Sequence, residues 1–411
     1  MVLFNGAQAE VAWVDELPTW GQMTPSGPSH VARIVEKIRQ KPWHGPCCYH
    51  RVRKPSNTNG AVQLAILGAS IVAGSNCVAM ESDMSSEDLQ MQATEMPAQE
   101  HARIKVLAIH FDPIDDTGQP LSKRYQWNDV RNLTWQHTSD MYFSSGGAVA
   151  YDVVAMRTVR EFPPMLGEPF TLESYHSCLG HGKDCINPTR ADYEKLIKDQ
   201  GLCREVASEY IDEVWLFGGP GFGFFESRMV GSGAFNVNSE ALPMDDPTSG
   251  CTRPFIVMGF NIKRSHVEML HNFGHRVDHM LNYYSIHPVP GLDPATASLY
   301  KRPKSGIGFA GCGSTHNPPN TADGKEEELL YGLQAPVASL CDSVGPVPDP
   351  SASARLITCS EWFCQESPYH RWRFMKLPRT LETNWWRLFF PRVAWQAGEA
   401  QVPKPLPPAV Y

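Results

Sequence analysis

The sequence has no excess of basic residues. Its 411 residues include 36 lysines and arginines against 44 aspartates and glutamates, a formal net charge of -8. An acidic chain has no long-range attraction for phosphate backbones or anionic lipid, so nucleic acid is not an expected partner. Charged residues make up only 19% of the chain and hydrophobic residues 42%. This balance excludes a disordered protein and predicts a packed core.

Several catalytic and metal-binding motifs are also missing. There is no Gly-x-Ser-x-Gly elbow, and Ser239 and Ser360 have no local nucleophile motif, so a serine hydrolase is not indicated. No cysteines show the repeated Cys-x-x-Cys spacing of a zinc ribbon. The glycine-rich segment 218–223 departs from a dinucleotide fingerprint because Glu226 stands where a third glycine would allow close packing. A bound nucleotide is therefore not expected.

A short apolar run at residues 64–73 follows a basic flank and precedes small residues. This order is typical of a secretory signal, and the run is too short and too rich in glycine and serine for a stable membrane span. The alternative is a buried strand or helix. A signal so far from the first residue is unusual. We therefore treat residues 1–60 as an N-terminal extension and residues 61–101 as the signal-like segment followed by an acidic linker.

The cysteines beyond the linker are even in number, which suits disulfides although their spacing selects no pairing. They are Cys178, Cys185, Cys203, Cys251, Cys312, Cys341, Cys359 and Cys364. Asn132-Leu133-Thr134 is an N-glycosylation sequon. Together with the signal-like segment, these features predict a secreted or lumenal glycoprotein. A cytoplasmic location is the alternative if the apolar run belongs to the fold.

Apolar, strand-like segments alternate with helix-like segments between residues 102 and 287. The strand-like segments are residues 105–111, 148–156, 213–217 and 255–260. The helix-like segments are residues 129–143, with Asn128 as a candidate cap, 190–200, and 266–284, with Ser265 and Glu268 as a capping box. The alternation predicts an α/β fold with a doubly wound, mostly parallel sheet. Residues 288–411 are expected to form a loop-rich, cysteine-containing C-terminal layer on this 102–287 core.

The predicted sheet indicates where a ligand would bind. Ligands of such sheets bind beyond the carboxyl ends of the strands, which here means near Asp112, Arg160, Gly218 and Asn261. The glycine-rich turn is expected to expose Glu226 at this edge as an acid, a base or a ligand. The alternative is a carboxylate placed at a helix N-terminus, where the helix dipole favours it.

The last helix of the predicted core carries His271 and His275, four residues apart. This spacing can place two imidazoles on one metal ion, although the glutamate of a His-Glu-x-x-His motif is missing. The alternative is a polar helix border in which each histidine is hydrogen-bonded internally. Glu268 lies one turn earlier on the same flank. His316 lies in a rigid polar loop, a common position for functional histidines.

These blocks resemble a family of largely uncharacterised bacterial and fungal proteins, often exported. Its patterns are Phe-Gly-x-Pro with Tyr-Glu-Ser, Phe-Gly-His-Arg-x-Glu, Cys-Gly-Asn-x-His-Phe-x-Pro-Asn and His-His-Arg-Trp-Trp. The counterparts here, within residues 105–387, are Glu226, Ser227, His275, Arg276, Cys312, His316, Pro319, Asn320, His370, Arg371 and Trp372. Asp278 replaces the final glutamate of the second pattern, Tyr369 replaces the first of the paired histidines, and His271 lies outside the pattern. The resemblance implies no named activity.

Two functions follow from these residues. The first is a metal-dependent hydrolase acting on an extracellular polymer or peptide, with His275, His316 and His370 holding a divalent ion such as zinc. Glu226 would be the general base and Glu268 a second catalytic group. The predicted substrate-binding residues are Asp112, Arg276, Asn320, Arg371 and Trp372. The alternative is a glycan-binding or structural secreted module whose tryptophans Trp372, Trp385 and Trp386 stack on sugars.

Overall fold

The computed structural model describes residues 100–181, 190–303, 308–321, 330–398, 406 and 409–410. Contacts divide the chain into two units, Met1–Ser82 and Asp83–Tyr411, and the described residues belong to the second. The predicted extension, the signal-like run 64–73, linker residues 81–99 and Cys185 lie outside the described residues.

The predicted strand-like and helix-like segments are strands and helices of the described structure, and further elements lie between and after them. The strands are β1 Glu100–Phe111, β2 Val149–Val159, β3 Glu213–Gly218, β4 Ser227–Val230, β5 Phe255–Asn261, β6 Val337–Ser339, β7 Arg355–Ile357, β8 Trp395–Ala397 and β9 Ala409–Val410. The α-helices are α1 Leu121–Arg124, α2 Val130–Ser144, α3 Leu172–His181, α4 Tyr193–Gln200, α5 Leu202–Ala207, α6 His266–Ile286, α7 Pro294–Lys301, α8 Cys341–Val344 and α9 Glu366–Met375. Short 3-10 helices cover Pro247–Ser249, Leu330–Gly332, Cys359–Trp362 and Trp385–Phe389.

The central sheet confirms the predicted α/β class. Its strand order is β4-β5-β3-β1-β2-β9, with β8 paired to β1. The inner pairs β1/β2, β1/β3 and β3/β5 are parallel, whereas β4 and β8 run antiparallel to their neighbours. Two of these strands, β8 and β9, come from the C-terminal region. The tail therefore contributes to the sheet as well as covering it.

The core lies on both faces of the sheet, because successive side chains of β1 point in opposite directions. Val106 belongs to one buried cluster and Leu107 to the other. Helix α6 covers the first face with an apolar stripe that includes Leu270 and Val277. The second face is covered by α4 and α5. This double cover is the reason that the inner strands are almost continuously apolar.

Local capping decides where the helices begin. Ser265 accepts a hydrogen bond from the Val267 amide at the start of α6, and Asp192 caps α4. Helix α2 is capped by Asp129 rather than by Asn128, because the Asp129 carboxylate accepts the Asn132 amide. Asn128 instead donates to backbone carbonyls after β5, including that of Ile262. The predicted start of α2 was therefore one residue too early.

Disulfides confirm that the chain contains paired cysteines. The described pairs are Cys203–Cys251, Cys312–Cys341 and Cys359–Cys364, and Cys178 is also disulfide-bonded. Such bonds suggest an extracellular or lumenal location. No helix among the described residues has the length and apolarity needed to cross a membrane.

Candidate metal centre

Three histidines meet at one point beside α6. The Nε2 atom of His275 lies 3.0 Å from that of His271 and 3.0 Å from that of His316, and the remaining pair is 3.1 Å apart. We call this group the histidine triad. Each of the three residues is only partly buried.

The spacing of the triad suits a metal ion, which one imidazole nitrogen from each residue could bind. Zinc binds histidine nitrogens at about 2.0–2.1 Å, so one ion could lie within bonding distance of all three Nε2 atoms. Three protein ligands and one open position are typical of catalytic zinc sites.

The helix supplies two members of the triad through a four-residue spacing, which places them on one face. His316 comes from the loop that follows Cys312, and Gly274 lets this loop approach α6. A Cβ atom at Gly274 would lie 2.8 Å from Thr315 Oγ1. Any larger side chain would therefore push away the loop residue that precedes His316.

A buried ion pair holds the loop in place. Asp278 accepts hydrogen bonds from both the amide and the hydroxyl of Thr315, at 2.9 and 2.7 Å. Arg373 pairs with the same carboxylate and donates to the Gly313 carbonyl. The Cys312–Cys341 disulfide fixes the start of the loop. His316 is thus positioned by contacts that do not involve its own ring.

Glycine is required inside this loop. Gly313 has a φ of +81°, and a Cβ atom there would lie 2.4 Å from the Asn317 carbonyl oxygen and 2.6 Å from the Tyr369 hydroxyl. That hydroxyl donates to the Ser314 carbonyl. The tight turn around Gly313 therefore aims the following residues at α6.

His370 lies behind the triad and does not reach its centre. It is fully buried, and its Nε2 atom lies 3.6 Å from Glu366 Oε1. The same carboxylate oxygen lies 2.9 Å from His271 Nδ1. His271, not His370, is therefore the third member of the triad. The reason is that α9 places His370 one turn after Glu366, with the carboxylate between it and His271.

The electrostatics of this second group favour an ionised carboxylate between two imidazoles. Burial by itself would raise the pKa of Glu366, but the hydrogen bond with His271 and the nearby imidazole of His370 lower it to about 2. Burial lowers the pKa of His370 to about 4. His271, Glu366 and His370 form a second group, next to the triad, whose ligand atoms are close enough to hold a metal ion. A carboxylate on the outer nitrogen of a histidine also fixes the orientation of its ring.

His275 is held in its neutral, metal-binding form. Burial, followed by the neighbouring His271 and His316, lowers the pKa of His275 to about 3. Neutral imidazole is the form that binds metal, so the ring need not lose a proton at neutral pH.

Glu226 lies beside the triad, as an acid–base role requires. Its Oε2 atom is 3.7 Å from His275 Nε2 and accepts a hydrogen bond from Asn238 Nδ2. No helix begins at Glu226; it immediately precedes the edge strand β4. Because β4 runs antiparallel to β5, its first residues lie at the carboxyl end of β5. The interpretation of Glu226 as a carboxylate at a helix N-terminus is therefore wrong.

A cavity of about 290 Å³ opens between the glycine-rich turn and the start of α6. Glu226, Glu268, Asn261, Arg264 and Asn272 are among the residues that line it. Burial raises the pKa of Glu268 to about 7 against the opposing effect of Arg264. Glu268 therefore faces the cavity as a carboxyl group that can exchange a proton near neutral pH.

Asp112 lies elsewhere along the same sheet edge. It is buried, accepts hydrogen bonds from the amide and hydroxyl of Ser122, and pairs with Arg160. It lines a cavity of about 510 Å³ beyond β1 and β2, which also includes His110. This cavity shares no lining residue with the cavity at Glu226.

The other predicted substrate-binding residues have structural contacts. Arg276 is fully buried, pairs with Glu213 at 2.8 Å and does not line the cavity at Glu226. Asn320 is buried and donates to the Leu333 and Ala335 carbonyls. Arg371 pairs with Asp140 and donates to Ser367.

The tryptophans expected to stack on sugars are buried. Trp372, Trp385 and Trp386 expose 6%, 1% and 0% of their surfaces and belong to the core cluster. Buried rings have no free face for a glycan. The glycan-binding hypothesis therefore loses the residues on which it depended.

The predicted ligand set contained His370 in place of His271, and Glu366 was not among the predicted site residues. Both lie in helical pairs with four-residue spacing, His271 with His275 and Glu366 with His370. That shared spacing was the available signal. The resemblance led instead to His370, which lies next to the triad rather than in it.

No protein-family model, no curated protein and no solved structure matches this chain. The resemblance to a family of exported proteins stays a prediction.

Proposed function

We propose that this protein is a metal-dependent hydrolase whose divalent ion is held by His271, His275 and His316. The observation that carries the proposal is the mutual separation of 3.0–3.1 Å between the three Nε2 atoms. Three imidazoles gathered around one point without an ion lose hydration and gain little from one another. An ion at that point compensates all three nitrogens at once.

The chemistry follows from the ion and its neighbouring carboxylate. A bound divalent ion lowers the pKa of a coordinated water, and Glu226 lies close enough to accept the proton that this water loses. With such an ion bound, the activated water would attack a carbonyl carbon of the substrate, and Glu226 would return the proton to the leaving group as its bond to that carbon breaks.

The setting of the site favours a substrate outside the cytosol. The disulfides suggest an extracellular or lumenal compartment. The triad is partly exposed, and Glu226 beside it lines a cavity, so a segment of a larger substrate could reach the ion. We therefore propose a secreted enzyme that acts on a peptide or another extracellular polymer.

The metal is tested first, by measuring the metal content of purified protein after zinc loading and dialysis. We expect about one zinc per chain, and loss of this zinc in His316→Ala. His279 lies exposed on the same helix and provides the matched control. His279→Ala should keep the metal. Equal metal content in wild type and His316→Ala would contradict the proposal.

The reaction is tested with peptide and polysaccharide mixtures whose products are identified by mass spectrometry. We expect Glu226→Gln to retain the metal and to lose about 100-fold or more of the hydrolysis rate, because a general base contributes at least this much. Hydrolysis that persists at the wild-type rate in Glu226→Gln would exclude it as the base. No hydrolysis by zinc-loaded wild type in either mixture would count against the proposed function.

A further inference from the structure

We propose that the cavity beside the metal centre binds a primary ammonium group of the substrate, through Glu268 and Asn272. The statement that this amine belongs to the substrate rests on the proposed hydrolase function. The statement that the cavity binds an amine does not depend on that function and can be measured separately.

The first observation is a buried amide that lacks a partner. Asn272 exposes none of its surface, donates its Nδ2 atom to the Gly259 carbonyl, and lines the cavity. Among the described residues, no donor reaches its Oδ1 atom. A buried acceptor without a donor is costly, so an unpartnered Oδ1 atom on a residue that lines the cavity indicates that a ligand supplies the missing hydrogen.

The second observation is a carboxylate oxygen that is likewise buried and without a hydrogen-bond partner in the described part of the chain. Glu268 Oε2 is buried and has no hydrogen-bond partner among the described residues. Arg264 lies 3.7 Å from the other oxygen, Oε1, and its side chain is largely exposed. Two residues that line the cavity, Glu268 and Asn272, thus each carry a buried acceptor without a donor among the described residues, and they lie a single turn apart on α6.

The charge of the cavity selects among possible donors. Its lining contains two carboxylates, Glu226 and Glu268, and one cation, Arg264. A cationic donor therefore fits the Glu268 side better than a neutral one. An ammonium group carries three N–H donors and can satisfy both acceptors, whereas a hydroxyl group carries one donor.

The position of Glu226 connects this cavity to the reaction. Glu226 lines the cavity and lies 3.7 Å from His275 Nε2. A substrate whose ammonium group contacts Glu268 would extend past Glu226 towards the triad. This arrangement favours substrates with a free amino group a few bonds from the cleaved carbonyl, such as the amino-terminal residue of a peptide.

The experiment compares leucinamide with N-acetylleucinamide by calorimetry, using the metal-free full-length protein. The two probes differ in the charge and donors of one nitrogen. We expect leucinamide to bind at least about 10-fold more tightly, because a hydrogen bond to a charged group changes affinity by this amount or more. Equal affinities, or no binding of either probe at millimolar concentration, would overturn the inference.

Variants sharpen the test. Glu268→Gln should weaken leucinamide binding about 10-fold and leave the metal content unchanged. Glu194→Gln, at an exposed position on α4, is the matched control and should bind like wild type. His275→Ala should lose the metal and still bind leucinamide. If Glu268→Gln binds as wild type does, the ammonium site is wrong; if metal binding alone fails, the hydrolase proposal is wrong.

Discussion

Two polar clusters lie along α6 and differ in how their charges are compensated. The buried ion pairs, Arg276–Glu213 and Arg373–Asp278, place each fully buried guanidinium against a carboxylate inside the protein. In the histidine triad, by contrast, three ring nitrogens face a common point that lies among the three rings. The first cluster finds its counter-charges within the fold, whereas the second is arranged for a ligand.

The contrast is sharpest between adjacent residues. His275 and Arg276 follow one another on α6. The His275 ring belongs to the triad, whereas the Arg276 side chain enters the core between the rings of Phe273 and Phe390. A helix turns by about 100° per residue, so neighbours face different surroundings. Chemical type alone does not tell which polar residue is functional; the location of its partners does.

The largest effect expected of a single substitution is on stability, in the ion-pair cluster. Asp278→Ala leaves the Arg373 guanidinium buried without its carboxylate, which costs about 3–5 kcal/mol. Urea unfolding of the metal-free protein should show this loss. His279→Ala, one residue away and exposed, should change stability by less than about 0.5 kcal/mol. A similar small change for Asp278→Ala would remove the distinction between the two clusters.

The next effect is on metal affinity, through the carboxylate that orients His271. Glu366→Gln should weaken zinc binding by about 10–100-fold, because partners that orient a metal ligand typically contribute this much. Competition with a chromophoric chelator measures the affinity. Glu361, on the preceding 3-10 helix, pairs with Arg355 and offers the control Glu361→Gln. Unchanged affinity in Glu366→Gln would show that the triad is set by packing alone.

Acid should destabilise the metal-free protein through its buried histidines. The pKa values of His275 and His370 are lowered to about 3 and about 4, so unfolding takes up protons below the ordinary histidine value of about 6.5. Stability should therefore fall as the pH drops from about 6.5 to 4, by about 1.4 kcal/mol per pH unit for each histidine. Asp278, with its lowered pKa, loses its contribution only at more acidic pH. A flat stability curve between pH 6.5 and 5 would contradict these shifts.

The smallest expected effect is on the stability of a triad variant. In the metal-free protein, His275→Gln should change the free energy of unfolding by less than about 1 kcal/mol at neutral pH, since the ring has no counter-charge to lose. Thermal unfolding with and without zinc gives the comparison. A loss of stability as large as that expected for Asp278→Ala would show that the triad contributes to folding in the same way as the ion pairs.

The sequence by itself determined four strands of the sheet, β1, β2, β3 and β5, but not β4, β8 or β9. Apolar periodicity and capping residues act over a few neighbours, so β3, β5 and the start of α6 were predicted almost to the residue. The i, i+4 spacing of His271 and His275 was likewise visible. The sequence also shows which residues are charged or aromatic, but it does not show which of them are buried. Arg276 and Trp372 were predicted to bind substrate and are buried in the structure.

Only the tertiary structure decided which residues meet. His316 lies 41 residues from His275, and Glu366 lies 95 residues from His271. These approaches depend on Asp278, Gly274 and the Cys312–Cys341 disulfide, whose partners are distant in sequence. Local propensity contains no information about such contacts, because they form when the loop and α9 pack against α6.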